Sequence, residues 1–239
     1  MKTTDPRTVL VTGASSGIGR ATAALLLADG HNVIGIGRDF SKFTPDNSHF
    51  TAIELDLGDI KRLPEPLEAL AKQHRDIDAV ICCAGQGRFG SLEEFSYKQI
   101  YKLMDLNFTS HAFICRALVP QLKRKPHSNI IFIGSEAALE GTQKGSLYCA
   151  AKFALRGFAQ ALRQECNTQG VHVTIINPGM VKTEFFNTLN FAPGEEASNY
   201  IEASDIADTI RMILTSRPGT VIDEINLSPL KKVVRFTAK

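Results

Sequence analysis

The run Val9-Leu10-Val11-Thr12-Gly13-Ala14-Ser15-Ser16-Gly17-Ile18-Gly19, continued by an alanine- and leucine-rich stretch to Ala28, decides the fold. It reads as a buried strand, a glycine turn and a helix. Gly13, Gly17 and Gly19 remove Cβ atoms where the backbone turns tightly and where a ligand must approach it. With Ser15, Ser16 and Ile18 they surround the start of a helix. The N–H groups and positive dipole end of such a helix suit a phosphate. The spacing is G-x-x-x-G-x-G rather than G-x-G-x-x-G, so the loop taken alone also fits a structural turn.

Working outward, strand-like apolar runs alternate with helix-like runs along nearly the whole chain. Strands are expected at Thr8–Thr12, Asn32–Ile36, Phe50–Leu55, Ala79–Cys83, Asn129–Gly134, Val171–Ile176 and Val221–Ile225. Several are apolar throughout, as when helices cover both faces of a sheet. Helices are expected at Gly17–Asp29, Asp59–Gln73, Ser96–Lys123, Leu147–Thr168 and Ser204–Ser216. This alternation predicts an α/β fold, a Rossmann-type doubly wound parallel sheet of about seven strands with helices on both faces. No repeat or low-complexity linker interrupts it, so residues 1–239 read as a single dinucleotide-binding domain. Ligands in such sheets bind beyond the carboxyl ends of the strands, near the switch point. The glycine turn falls there.

Bulk properties narrow the class. Hydrophobic residues make up 44% and charged residues 22%, ordinary values for a soluble globular protein. A net charge of +2 gives no electrostatic case for nucleic acid or an anionic membrane. No apolar run spans a bilayer and Met1–Pro6 has no signal-peptide core, so a cytoplasmic location is expected. The five cysteines show no Cys-x-x-Cys spacing and read as small buried hydrophobes. The six histidines include no His-x-x-x-His or His-Glu-x-x-His pair, and no metal site is expected.

Individual strand ends carry the chemistry. The second strand runs into Gly37-Arg38-Asp39, where a dinucleotide fold faces the adenosine ribose. An acid on the strand end would repel a 2′-phosphate, whereas the Arg38 guanidinium suits one, which favours NADP(H) over NAD(H). Asp39 stands next to it. After the third strand, Asp56 and Leu57 either meet the adenine or simply begin a helix. Cys83, Ala84 and Gly85 are small enough for backbone to pass close to a cofactor. Asn107 is an amide on an apolar helical stripe and needs partners if buried. Ser135 ends the fifth strand, and Tyr148 and Lys152 stand one helical turn apart on one face of the next helix. Leu155, Phe158, Ala159, Leu162 and Cys166 give that helix its packing stripe.

Thr12-Gly13-Ala14-Ser15-Ser16-Gly17-Ile18-Gly19, Asn107, Ser135, Tyr148-Cys149-Ala150-Ala151-Lys152 and Asn177-Pro178-Gly179 together resemble the short-chain dehydrogenase/reductase family, over about Thr8 to Ile225. Cys82-Cys83-Ala84-Gly85 stands where the family has Asn-Asn-Ala-Gly, so only backbone contacts are expected to survive there. The resemblance implies an NADP(H)-dependent oxidoreductase that interconverts a carbonyl and a secondary alcohol. In it Tyr148 is the acid/base and Ser135 holds the substrate oxygen. Lys152 binds the nicotinamide ribose and, with the nicotinamide charge, lowers the phenol's pKa. Asn107 helps hold a proton-relay water, while Pro178, Gly179, Val181 and Thr183 place the nicotinamide.

A lid is expected at about 183–200, carrying Phe185, Phe186, Phe191 and Tyr200, with 86–91 and 136–144 as further walls. Lys231–Phe236 reads as surface or interface chain. The expected partner is a small-molecule carbonyl or alcohol, and relatives imply a homodimer or homotetramer. Two other readings stand beside this one: a non-catalytic NADP-binding regulator, and an NAD-dependent dehydrogenase of 3-hydroxy acids or 3-oxoacyl thioesters. A nucleotide-sugar epimerase is disfavoured, because little chain follows the sixth strand.

Overall fold

A computed structural model describes residues 5–236. Seven parallel strands form one sheet: β1 (Thr8–Thr12), β2 (Asn32–Gly37), β3 (Phe50–Glu54), β4 (Ala79–Cys82), β5 (Ser128–Ile133), β6 (Val171–Pro178) and β8 (Glu224–Leu227). Their order is β3-β2-β1-β4-β5-β6-β8. The winding reverses between β1 and β4, so a crevice opens beyond the carboxyl ends of those two strands. The α/β, Rossmann-type doubly wound sheet expected from the alternation is the one observed.

Each strand feeds two cores because successive side chains point to opposite faces. Leu10, Ile34, Val80, Ile130 and Phe132 face helices α2 (Pro64–Gln73), α4 (Ser110–Leu122) and α5 (Ser146–Cys166). Val9, Val11, Val33, Ile81 and Ile131 face α1 (Gly17–Ala28) and α6 (Ala203–Leu214). In α1 the buried set is Gly19, Thr22, Ala23, Leu26 and Leu27, the i, i+3, i+4 stripe of an amphipathic helix. Gly30, at φ +85°, ends it by returning its N–H to Leu27 O.

Most boundaries fall within two residues of expectation, and three elements differ by more, each for a local reason. α2 begins at Pro64 rather than Asp59, because Pro64 and Pro66 fit the first turn but not a helix interior. The helix expected at Ser96–Lys123 is three pieces: α3 (Tyr97–Met104), a π-turn at Asp105–Thr109, and α4. At the break the Asn107 amide donates to Leu103 O at 2.9 Å, taking the carbonyl its own turn would use. The last strand pairs over Glu224–Leu227 rather than Val221–Ile225. Ile222 instead gives its carbonyl to the Thr174 hydroxyl at 2.7 Å, outside the ladder.

One element was not expected. β7 (Phe191–Pro193) and β9 (Val234–Phe236) form a separate antiparallel pair, with Phe191 opposite Phe236 and Pro193 opposite Val234. The basic tail segment is therefore a strand laid against the 183–200 segment. No helix among the described residues is long and apolar enough to cross a membrane.

The far edge of the sheet predicts a pH dependence of stability. Burial lowers the pKa of His31, and burial with the Arg7 charge lowers that of His127, which stacks on His172 with ring centroids 4.4 Å apart. The unfolded chain therefore takes up these protons first. Stability is full above the ordinary histidine value of about 6.5 and declines as pH falls below it. Urea midpoints at about pH 7.5 and 5.5 should differ, the lower pH giving the lower midpoint, in a range above carboxylate titration.

Candidate active site

The site grows from the switch point. Thr12 ends β1, and its hydroxyl accepts the N–H groups of Cys83 (3.0 Å) and Ala84 (3.1 Å) while donating to Ile81 O (3.4 Å). That clasp joins the ends of β1 and β4 under the crevice. Gly13 (φ +67°) and Gly17 (φ +50°) hold the following turn in backbone conformations that side chains resist. Gly19 packs directly on the turn, and a Cβ there would collide with the Gly13 carbonyl. Ser16 caps α1 without a side-chain bond, and no acid stands in the first helical turn. Those N–H groups fit an anion. Nearby, Glu184 pairs with Arg20 at 2.9 Å, and its own backbone N–H together with the Arg20 charge holds its carboxyl below the usual range.

The Cys83-Ala84-Gly85 loop is fixed through its backbone, not through cysteine side chains. Thr12 takes two of its N–H groups, His111 Nε2 lies 2.9 Å from Ala84 O, and Asn107 clamps the next residue. Asn107 is fully buried; its amide oxygen accepts Gln86 N (3.2 Å) and its nitrogen donates to Gln86 O (3.1 Å). Its side chain thus serves the loop, with the π-turn setting its angle.

Ser135 lies just past β5 in extended backbone, and its hydroxyl accepts Ala137 N at 3.1 Å. Tyr148 and Lys152, on α5, are 7% and 5% exposed. Lys152 Nζ donates to Ile133 O at 2.9 Å and stands 5.8 Å from the centre of the Tyr148 ring. The three side chains line a single cavity of about 680 Å³ with Ile18, Cys83, Gly85, Asn107, Pro178, Gly179, Val181 and Thr183. An ammonium carries three donors, and among the described residues only the Ile133 carbonyl meets one. The site therefore suits a ligand that brings hydroxyl oxygens to Lys152.

Burial pushes the Tyr148 phenol up to about 12; a hydrogen-bonding contact with Ser135 draws it down, while Cys149 and Glu136 raise it further. The Lys152 charge is not among these causes. Burial also brings Lys152 down to about 8. With the side chains alone, burial outweighs the Ser135 contact and leaves the phenol a weak acid.

The remaining predicted residues sit around the crevice. Arg38 is exposed at the end of β2. Asp39 beside it accepts Ser41 N (2.7 Å) and the Ser41 hydroxyl (3.0 Å), so its charge is turned into its own loop. A Cβ on Gly37 would press on the Ser15 hydroxyl at 2.9 Å, so Ser15 closes the floor beneath that strand end. Asp56 accepts Gly58 N at 2.9 Å in a turn, not at a helix start, and Leu57 is buried. Thr183 packs on Gly17 and caps the 3₁₀ turn Glu184–Thr188.

On the substrate side, Phe89, Phe185, Phe186 and Phe191 line the cavity, whereas Tyr200 leans on Lys182 outside that lining. Lys232, Val234 and Phe236 line it too, so the tail read as surface chain is part of the pocket wall. Sequence reasoning also passed over Thr12 as a bonding residue; its place at the strand end before the first glycine was the available signal.

A glycine turn thus stands at the switch point, with a tyrosine, a lysine and a serine converging on one cavity beyond it. The family model for short chain dehydrogenases matches residues 7–193, and the chain belongs to that family. It is similar to a serine 3-dehydrogenase of Agrobacterium fabrum, 32% identical over 94% of both chains. It is 30% identical to an NADP-dependent 3-hydroxy acid dehydrogenase of Schizosaccharomyces pombe, over 96% of this chain and 95% of that one. Among solved structures, a short-chain dehydrogenase from Streptomyces avermitilis superposes with a TM-score of 0.80 at 26% identity, covering 95% of this chain and 89% of that one. The protein is an oxidoreductase acting on CH–OH donors.

Thr12 offers a test of the clasp. Thr12→Val keeps the side-chain shape but strands two N–H groups, which should cost about 1–3 kcal/mol of stability in urea unfolding. A loss of a few tenths would mean the clasp carries little.

Proposed function

We propose that the protein is an NADP(H)-dependent oxidoreductase interconverting a carbonyl and a secondary alcohol, with Tyr148 as the acid/base. The observation that carries this reading is the meeting of Ser135, Tyr148 and Lys152, from a strand end and one helix face, in a cavity that the glycine turn also reaches. The dinucleotide, when bound, supplies the hydride in reduction and takes it up in oxidation.

The chain's own residues do the rest. In this reading Gly13, Ser15, Ser16, Gly17, Ile18 and Gly19 cradle the phosphates, Asp56 and Leu57 border the adenine, and Cys83, Ala84 and Gly85 pass beneath the cofactor through backbone. Pro178, Gly179, Val181 and Thr183 position the nicotinamide end. Lys152 holds ribose hydroxyls with the N–H groups left over from Ile133. Ser135 donates to the substrate oxygen, a bond that strengthens as negative charge builds there. Tyr148 then gives its proton to the alkoxide in reduction, or takes the alcohol's proton in oxidation. A phenol at about 12 in the bare protein gains acidity as positive charge enters the cavity. Asn107 fixes the loop under that charge.

Two features support NADP(H). Arg38 is exposed at the β2 end, and the Asp39 carboxylate beside it is committed to Ser41. The relative from Schizosaccharomyces pombe carries NADP dependence in its name.

Tyr148→Phe should lower kcat by about 10²–10⁴-fold, followed by NADPH absorbance, while leaving the NADPH dissociation constant nearly unchanged in a fluorescence titration. Wild-type turnover by that variant rejects the assignment. Arg38→Ala should raise the NADPH dissociation constant about tenfold or more and leave that of NADH close to its original value, as loss of a charged hydrogen bond requires. Equal changes in the two constants reject the phosphate role.

A further inference from the structure

The substrate side of the cavity is walled by a closed circuit of rings. Phe89 lies 5.1 Å from Tyr148 and 5.0 Å from Phe191; Phe186 lies 5.9 Å from Phe191 and 5.2 Å from Phe185; Phe185 returns to Tyr148 at 6.1 Å. The Tyr148 ring is therefore one member of an aromatic wall. Such rings bury large apolar area and offer faces and edges to another ring.

The tail completes this wall. Pairing of β9 with β7 sets Phe236 opposite Phe191 and Val234 opposite Pro193. Alternate residues Lys232, Val234 and Phe236 line the cavity, the period of two that a strand imposes. Arg235, between them, pairs with Glu195 on the neighbouring segment. Phe236 is 77% exposed and Val234 44%, so both present apolar surface that the protein itself leaves uncovered.

Charge in the same lining is balanced. Glu136, one residue past Ser135, lines the cavity and holds Lys232 Nζ at 2.9 Å. Glu94 accepts Ser91 N at 3.0 Å, and Lys144 stands at the rim with its carbonyl bound to Gly90 N. Outside Lys152, the wall thus offers two acids and two lysines, with one lysine already committed to the acid beside Ser135. A substrate carboxylate one carbon removed from the reacting carbon would face Glu136, whose Lys232 partner is already paired.

We propose that this chain selects ketones and secondary alcohols bearing a bulky apolar group, aryl or long alkyl, which lies between the ring wall and Val234 and Phe236. The Glu136–Lys232 pair turns away substrates with a carboxylate one carbon removed from the reacting carbon, as in 3-hydroxy acids. Phe236 and Glu136 are specificity determinants, and the inference rests on the oxidoreductase reading above. It sets this chain apart from relatives whose names specify serine and 3-hydroxy acids as substrates.

The test is the ratio of kcat/KM for 1-phenylethanol and 2-decanol to that for 3-hydroxybutyrate, with NADP⁺, the products being ketone, NADPH and a proton. The wild-type ratio should favour the apolar alcohols by about tenfold or more, the scale of discrimination by apolar pocket contacts. Phe236→Ala, at an exposed position that leaves the core intact, should cut the ratio about tenfold, chiefly through KM. Glu136→Gln, which frees Lys232, should move the ratio about tenfold toward 3-hydroxybutyrate. A wild-type preference for 3-hydroxybutyrate, or a ratio that either variant leaves unmoved, overturns this inference and leaves the oxidoreductase reading standing. NADPH formed from none of the alcohols, with none consumed by the matching ketones, overturns both.

Discussion

The hydrogen bond from Lys152 to the Ile133 carbonyl is the constraint on which the site depends. It brings a buried ammonium from α5 to the end of β5, and the two elements that carry Tyr148 and Ser135 are locked at one spacing. A buried cation is costly unless it is bonded, so this donor cannot be lost without a large penalty. The same bond leaves the lysine's other protons available to a ligand. Structure and chemistry here share one nitrogen atom.

A second set of bonds gives the crevice its floor. Thr12, Asn107 and His111 satisfy the backbone of residues 83–86 from three directions, so Cys82, buried, and Cys83, half-buried, act as small packing groups. A hydrogen-bonding contact with Cys115, and then burial, pushes the Cys82 thiol well above its ordinary value, and burial does the same for Cys83, as expected for packing residues rather than nucleophiles. The loop's shape survives a change of side-chain chemistry because none of its supports passes through those side chains.

How much of this was legible in the sequence varies with how local the cause is. The strand, turn and helix around Gly13, Gly17 and Gly19 were readable because glycine position, apolar periodicity and helix start all act within a dozen residues. Tyr148 and Lys152 were readable because a spacing of four puts them on one helical face. The π-turn at Asn107 was not, since it arises where one side chain takes the Leu103 carbonyl. Nor was β9: Lys231 to Phe236 alternates inward and outward, but charges occupy both faces and blur the period. Nor was the burial that raises the phenol's pKa among the side chains alone, because burial is a property of the whole fold.

The parallel sheet carries a kinetic consequence. The Thr12 clasp joins residues 71 positions apart, and the ion pair beside the β7–β9 ladder joins residues 40 apart. Contacts so distant along the chain close costly loops before they return any energy, which slows the search for the native topology. Neither the crevice floor nor the outer pocket wall is made by any short fragment. Competence to bind is thus acquired late and cooperatively, when strands remote in the chain have found their neighbours.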